Sequence, residues 1–121
     1  MKTVLVVEDE DSAIALYEAR LSAHDDWQMV IARSGEAALL LAASEPADII
    51  LLDIQLPLMD GLAVCRQLKT DAATSAIPIV VVTAFAQAGT RASVEAAGAD
   101  EFVSKPFNVA ELTEIVERFI G

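Results

Sequence analysis

Three apolar runs, "TVLVVE" (3–8), "ADIILLD" (47–53) and "IPIVVVT" (77–83), constrain this chain more than any other feature. None of them alternates apolar with polar residues, so a strand built from any one needs cover on both faces. The interior of a parallel sheet with helices on either side meets that demand. Two further runs, "WQMVIA" (27–32) and "EFVSK" (101–105), are shorter or carry polar residues and suit the edges of the same sheet. Pro78 stands at the start of its run, where a missing N–H is tolerated.

Segments of helical period separate the runs. In the last of them Leu112, Ile115, Val116, Phe119 and Ile120 follow i, i+3, i+4, i+7, i+8, which marks one buried face. Asn108 is predicted to cap this helix, with Glu111 three residues on, and Ser34 to cap "GEAALLLAAS". Helices are also predicted over 12–23, 60–69 and 86–97, the last ended by Gly98. Strand and helix thus alternate five times. Such a chain is predicted to fold as a doubly wound α/β sheet of five parallel strands with right-handed crossovers, and the two polar-mixed runs fall on its edges if the order is 2-1-3-4-5, a common doubly wound arrangement. Its 121 residues fit one domain spanning 1–121.

Composition removes several function classes. The formal charge is −11, with eight Lys and Arg scattered among nineteen acids, so direct nucleic-acid binding lacks its basic face. A single cysteine, Cys65, excludes an internal disulfide and fits a reducing compartment; it reads as a small helix hydrophobe. The only histidine, His24, reads as a surface residue. No stretch reaches the roughly 18 apolar residues of a membrane span, and "MKTVLVVEDE" turns acidic too early for a signal peptide. The expected location is cytoplasmic.

Open α/β sheets bind ligands beyond the carboxyl ends of their strands. Those ends carry Glu8 and Asp9 on strand 1, Asp53 on strand 3, Thr83 on strand 4 and Lys105 on strand 5. With strands 1, 3, 4 and 5 adjacent, three carboxylates, a hydroxyl and an amine converge on one rim. Two like charges about 4 Å apart cost on the order of 4 kcal/mol at an effective dielectric near 20, so compensation is required. Lys105 brings one positive charge, and a divalent cation held by hard oxygen ligands, Mg²⁺ by preference, brings two. A carboxylate beside such charges is equipped to attack a phosphoryl group in line, which makes Asp53 the candidate nucleophile.

The stretches "VLVVEDE", "DIILLDIQLPLMDG", "VVVTA" and "GADEFVSKPF", in this order, resemble the receiver domain of two-component response regulators from Lys2 to the last helix. The resemblance implies a phosphoacceptor switch in which Asp53 takes a phosphoryl group from a histidine kinase or histidine phosphotransfer protein. It implies Mg²⁺ held by Asp9, Asp53 and the main-chain carbonyl of Gln55, with Glu8 acting through a bound water. Glu8 departs from the Asp that many members carry there. Thr83 and Lys105 would contact the phosphoryl group, Phe102 would be the switch aromatic, the bond before Pro106 would be cis, and Pro57 and Gly61 would shape the pocket floor. Gln55 and Phe85 stand where phosphoryl lifetime is tuned, bulky Phe85 slowing attack by water. Phosphorylation would remodel helix 4, strand 5 and helix 5, the surface read by an effector protein or output domain, or by a second copy in a homodimer.

Two rival readings are discriminated by particular residues. A Mg²⁺-dependent phosphohydrolase needs a general acid two residues after the nucleophile, and Gln55 cannot give up a proton. A degenerate receiver that only docks partners has no use for Asp9, Asp53, Thr83 and Lys105 together. The chain is expected to assist its own phosphorylation rather than act as a metabolic enzyme. Residues 108–121 lack an Arg-rich ending of the kind that leads into a DNA-binding domain, which favours a stand-alone regulator or a kinase-linked receiver.

Overall fold

A computed structural model of the chain describes residues 1–56, 59–84, 89–107 and 109–121; for Val109 it describes the backbone alone. Pro57, Phe85 and Asn108, which the sequence reading singled out, lie outside the described residues, as do positions 86–88 of the predicted fourth helix.

Among the described residues five strands, β1 (Lys2–Val7), β2 (Trp27–Ala32), β3 (Ile49–Leu52), β4 (Ile79–Thr83) and β5 (Glu101–Ser104), alternate with five helices. These are α1 (Asp11–Leu21), α2 (Gly35–Ser44), α3 (Gly61–Thr70), α4 (Thr90–Ala96) and α5 (Val109–Ile120). The strands pair in parallel in the order β2-β1-β3-β4-β5, which puts the two polar-mixed runs on the edges as expected. At the β2 edge Gln28 is exposed, and its side chain donates to Thr3 Oγ1 at 3.2 Å.

Apolar runs without alternation still send successive side chains to opposite faces. Leu5, Val7, Ile50, Leu52, Ile79 and Val81 enter one core with α2, α3 and α4, through Ala38, Ala42, Val64, Cys65, Leu68 and Val94. Val4, Val6, Ile49, Leu51, Val80 and Val82 enter the other with α1 and α5, through Tyr17, Leu21, Leu112, Ile115 and Val116. Each large side chain buried this way contributes about 1.5–3 kcal/mol.

Helix starts follow local chemistry. Ser34 caps α2, its side chain accepting from the Ala37 N–H at 3.1 Å. Asp60 caps α3 the same way through Leu62 at 2.9 Å, so residue 60 precedes that helix instead of opening it. Gly98 follows α4 with φ +94°, the left-handed conformation expected of it.

Several boundaries differ from the sequence reading. β3 is shorter than 47–53 because Asp48 turns its carboxylate onto the Thr3 N–H at 2.7 Å and Asp53 leaves the strand for the loop beyond. β4 begins at Ile79 instead of Ile77, whose N–H closes a turn onto the Thr74 carbonyl. α1 runs one residue earlier and ends two earlier than predicted. His24 is half-buried instead of lying on the surface, because its ring stacks on Trp27 at 3.7 Å and 3°.

After β3, residues 54 and 55 meet residues 60 and 61. Gln55 bridges to Asp60, and the Gly61 N–H donates to the Ile54 carbonyl at 3.2 Å. A Cβ on Gly61 would lie 2.3 Å from Ile54 Cα, a backbone atom that cannot move aside. Gly61→Ala is therefore expected to destabilise the fold by about 1–3 kcal/mol, as over-packing does. An unchanged chemical-denaturation midpoint would contradict the tight approach.

Candidate functional site

Parallel strands deliver their C-terminal ends to one rim, and main-chain bonds extend the ladder past the strands to fix the residues that follow. The Glu8 N–H donates to the Ala32 carbonyl at 2.9 Å, Asp53 N–H to Val7 at 3.1 Å and Lys105 N–H to Thr83 at 2.8 Å. Those three bonds set Glu8, Asp53 and Lys105 level with one another. The Lys105 ammonium donates to Glu8 Oε1 and to Asp53 Oδ2, the latter at 2.9 Å. The second oxygens are held by the main chain: Asp53 Oδ1 accepts from the Gln55 N–H at 2.9 Å, and Glu8 Oε2 from the Asp9 N–H at 3.1 Å.

All three groups are largely withdrawn from water: Glu8 is 1% exposed, Asp53 6%, and the Lys105 side chain 15%. One ammonium therefore serves two buried carboxylates. Burial pushes Glu8 above its ordinary 4.5, with the Asp53 charge adding to it, while Lys105 and the Asp9 N–H oppose. Burial alone would lower Lys105, yet its hydrogen bonds to Glu8 and Asp53 and their charges outweigh that and hold the ammonium above 10.5.

Thr83 is fully buried at the end of β4, beside this pair. Gln55 is exposed on the loop after Asp53, and Asp9 is exposed at the rim, outside the carboxylate pair that Lys105 joins. The bond between Lys105 and Pro106 is cis. Phe102 lies upstream on β5, half-buried against the α2–α4 core, with the Arg91 guanidinium 5.0 Å over its ring. Cys65 is buried, and burial pushes its thiol up to about 11, in keeping with a packing role.

Sequence reasoning missed Tyr17. It is buried on α1, and its ring stacks on Phe107 at 5.4 Å just past Lys105. A tyrosine in a buried helical position, where a plain hydrocarbon fills space as well, was the available signal.

Whether this rim suits a cation turns on its donors. The hard oxygens it could offer belong to Asp53, Asp9 and the Gln55 main chain, and two of these three residues are solvent-exposed, which would leave part of the coordination to water. Among the described residues no three acidic, imidazole or thiol side chains form a ready cage. Mg²⁺ is ordinarily held by one or two carboxylates with water and phosphate oxygens, so the donor set fits.

A profile of the response regulator receiver domain matches residues 4–117. The chain belongs to the response regulator receiver family.

As a member, this receiver is a phosphoacceptor switch of two-component signalling, a class whose members interact with histidine kinases and effectors. It is 36% identical to the polar-differentiation response regulator DivK of Brucella ovis over 120 residues, covering 99% of this chain and 97% of DivK. It is 42% identical over 105 residues to the response regulator PleD of Caulobacter vibrioides, covering 87% of this chain but only 23% of PleD. The receiver domain of the sensor histidine kinase PA1611 of Pseudomonas aeruginosa superposes with a TM-score of 0.90 at 32% identity, covering 99% of this chain and 98% of that one. That structure has a magnesium ion coordinated in its active-site cleft. No helix among the described residues is long and apolar enough to cross a membrane.

The raised Glu8 pKa has a measurable sign. The folded receiver binds this proton more tightly than the unfolded chain, so the contribution is fully present below 4.5 and is lost as pH rises through the folded value. The stability of wild type relative to Glu8→Gln is accordingly expected to fall across that window. Denaturation of both proteins as a function of pH checks it, and a pH-independent difference would contradict it.

Proposed function

We propose that the 1–121 receiver takes a phosphoryl group on Asp53 from a histidine kinase or histidine phosphotransfer protein and thereby changes the surface it offers a downstream partner. The observation that carries this reading is the Lys105 ammonium bridging Asp53 and Glu8 at the rim where the neighbouring strands β1, β3, β4 and β5 end. Asp53 is nearly buried, so its attack is oriented instead of solvated. Its Oδ1 is aimed by the Gln55 N–H and its Oδ2 by Lys105.

In the transfer an Asp53 oxygen attacks phosphorus in line. The bond from phosphorus to the donor's imidazole nitrogen breaks, and its electron pair returns to that nitrogen. Asp9, Asp53 and the Gln55 carbonyl would hold Mg²⁺, with Glu8 acting through water. When bound, the cation supplies positive charge against the phosphoryl oxygens. The protein assists its own phosphorylation in this way, and later its dephosphorylation, without turning over a metabolite.

The product carries about −1.5 to −2 charges in place of one. Lys105 then has a stronger partner than Glu8, and the Thr83 hydroxyl turns to the new oxygens. Phe102 follows Thr83, and the surface formed by α4, β5 and α5 is repacked. The partner that delivers phosphate has a landing site next to the chemistry. A groove of about 420 Å³ runs beside Lys105, lined largely by apolar groups of Ala13, Leu16, Ala84, Pro106 and Phe107. Cytoplasmic signalling without direct contact to nucleic acid completes the reading; the effector or output domain, or a second copy, binds the remodelled face.

Incubation with Mg²⁺ and acetyl phosphate followed by intact-mass measurement tests the proposal. Wild type is expected to gain one phosphoryl group, and Asp53→Asn none. Mass gain that survives in Asp53→Asn, or its absence in wild type, would overturn it.

A further inference from the structure

After Ser104, the last residue of β5, residues 105–107, which carry Lys105, belong to no strand or helix. A lysine there has four rotatable side-chain bonds and about 2 kcal/mol of rotamer entropy working against any single aim. The Lys105 N–H, bonded to the Thr83 carbonyl, anchors the segment at its start. Two residues on, Phe107 packs against the α1–α5 core, and its ring stacks on Tyr17 at 5.4 Å with a 30° interplanar angle.

Tyr17 is the only tyrosine in the chain and is 2% exposed. It shares its core with Val6, Val82 and Val103, the residues just before the site on β1, β4 and β5. Burial, and after it the charges of Glu8 and Asp53, pushes the ionisation of its hydroxyl far up, so the ring lies within the field of both acids.

We propose that Tyr17 is a positioning residue: by stacking on Phe107 it holds the 105–107 segment so that the Lys105 ammonium stays aimed at Asp53. The inference rests on the phosphoacceptor reading above. It assigns the work to the aromatic ring and none to the hydroxyl, because the stack is the contact that reaches the loop. Offset aromatic pairs of this kind contribute about 0.5–1.5 kcal/mol beyond the area they bury, enough to restrain a short loop.

The test uses the whole chain with Mg²⁺ and saturating acetyl phosphate, comparing Tyr17→Phe, Tyr17→Leu, Phe107→Leu and the double Leu variant. Each Leu variant is expected to slow phosphorylation of Asp53 by about tenfold, inside the ~100-fold that an ångström of misplacement costs. The double variant is expected to be no slower than either single one, and Tyr17→Phe to keep the wild-type rate.

A second measurement needs no phosphate. The ¹³Cε resonance of Lys105 in the unphosphorylated protein is expected to move toward that of a free lysine in both Leu variants and to stay in place in Tyr17→Phe. Phe107 is only half-buried, so Phe107→Leu removes the stack from its exposed side and retains the fold, checked by far-UV circular dichroism.

A wild-type rate and an unmoved Lys105 resonance in folded Phe107→Leu would overturn the proposal. So would a loss in Tyr17→Phe equal to that in Tyr17→Leu. A wild type that takes no phosphate defeats the phosphoacceptor reading instead, and the Lys105 resonance still decides this one.

Discussion

Everything at the rim depends on one ammonium shared between two carboxylates that the fold has taken out of water. Glu8 and Asp53 lie where two interior strands end, and neither is exposed enough for solvent to neutralise it. Lys105 answers both, and is held charged for that reason. One cation still serves two anions, and burial, with the Asp53 charge adding a smaller part, pushes the Glu8 carboxyl up despite it. A site left short of positive charge is disposed toward a further cation.

The sheet is what makes the sharing possible. Because all five strands are parallel and β1, β3, β4 and β5 are neighbours, residues 45 to 97 positions apart in the chain come to one level. Ladder bonds continue through Glu8, Asp53 and Lys105 after the strands themselves have ended, so the polar groups inherit the rigidity of the apolar runs. The two cores contribute differently. The α2–α4 core carries Phe102, and the α1–α5 core carries Tyr17 and Phe107 directly below the lysine segment.

Much of this was legible in the amino-acid order. Apolar runs without alternation marked interior parallel strands, and Gln28 in one further run and the shortness of "EFVSK" pointed to the edges. Glu8, Asp53 and Lys105 were legible as a group because each terminates a strand, and strand ends converge in this topology. Where the side chains would aim was not legible. Asp9 was grouped with the other two acids, yet it is exposed while Glu8 turns inward to the Lys105 ammonium. The Tyr17–Phe107 and His24–Trp27 stacks escaped for different reasons. The first joins residues ninety positions apart, and the second depends on a tight turn that no local pattern specifies. Strand boundaries were lost where a side chain, as at Asp48, competes for a main-chain N–H.

The most direct test of the shared ammonium is a double-mutant cycle on stability at neutral pH with Lys105→Met, Glu8→Gln and the two combined. Removing the lysine alone strands two buried charges, so Lys105→Met is expected to lose about 3–5 kcal/mol, and adding Glu8→Gln to recover a substantial part of that loss. Additive effects of the two substitutions, or a Lys105→Met protein as stable as wild type, would contradict the account.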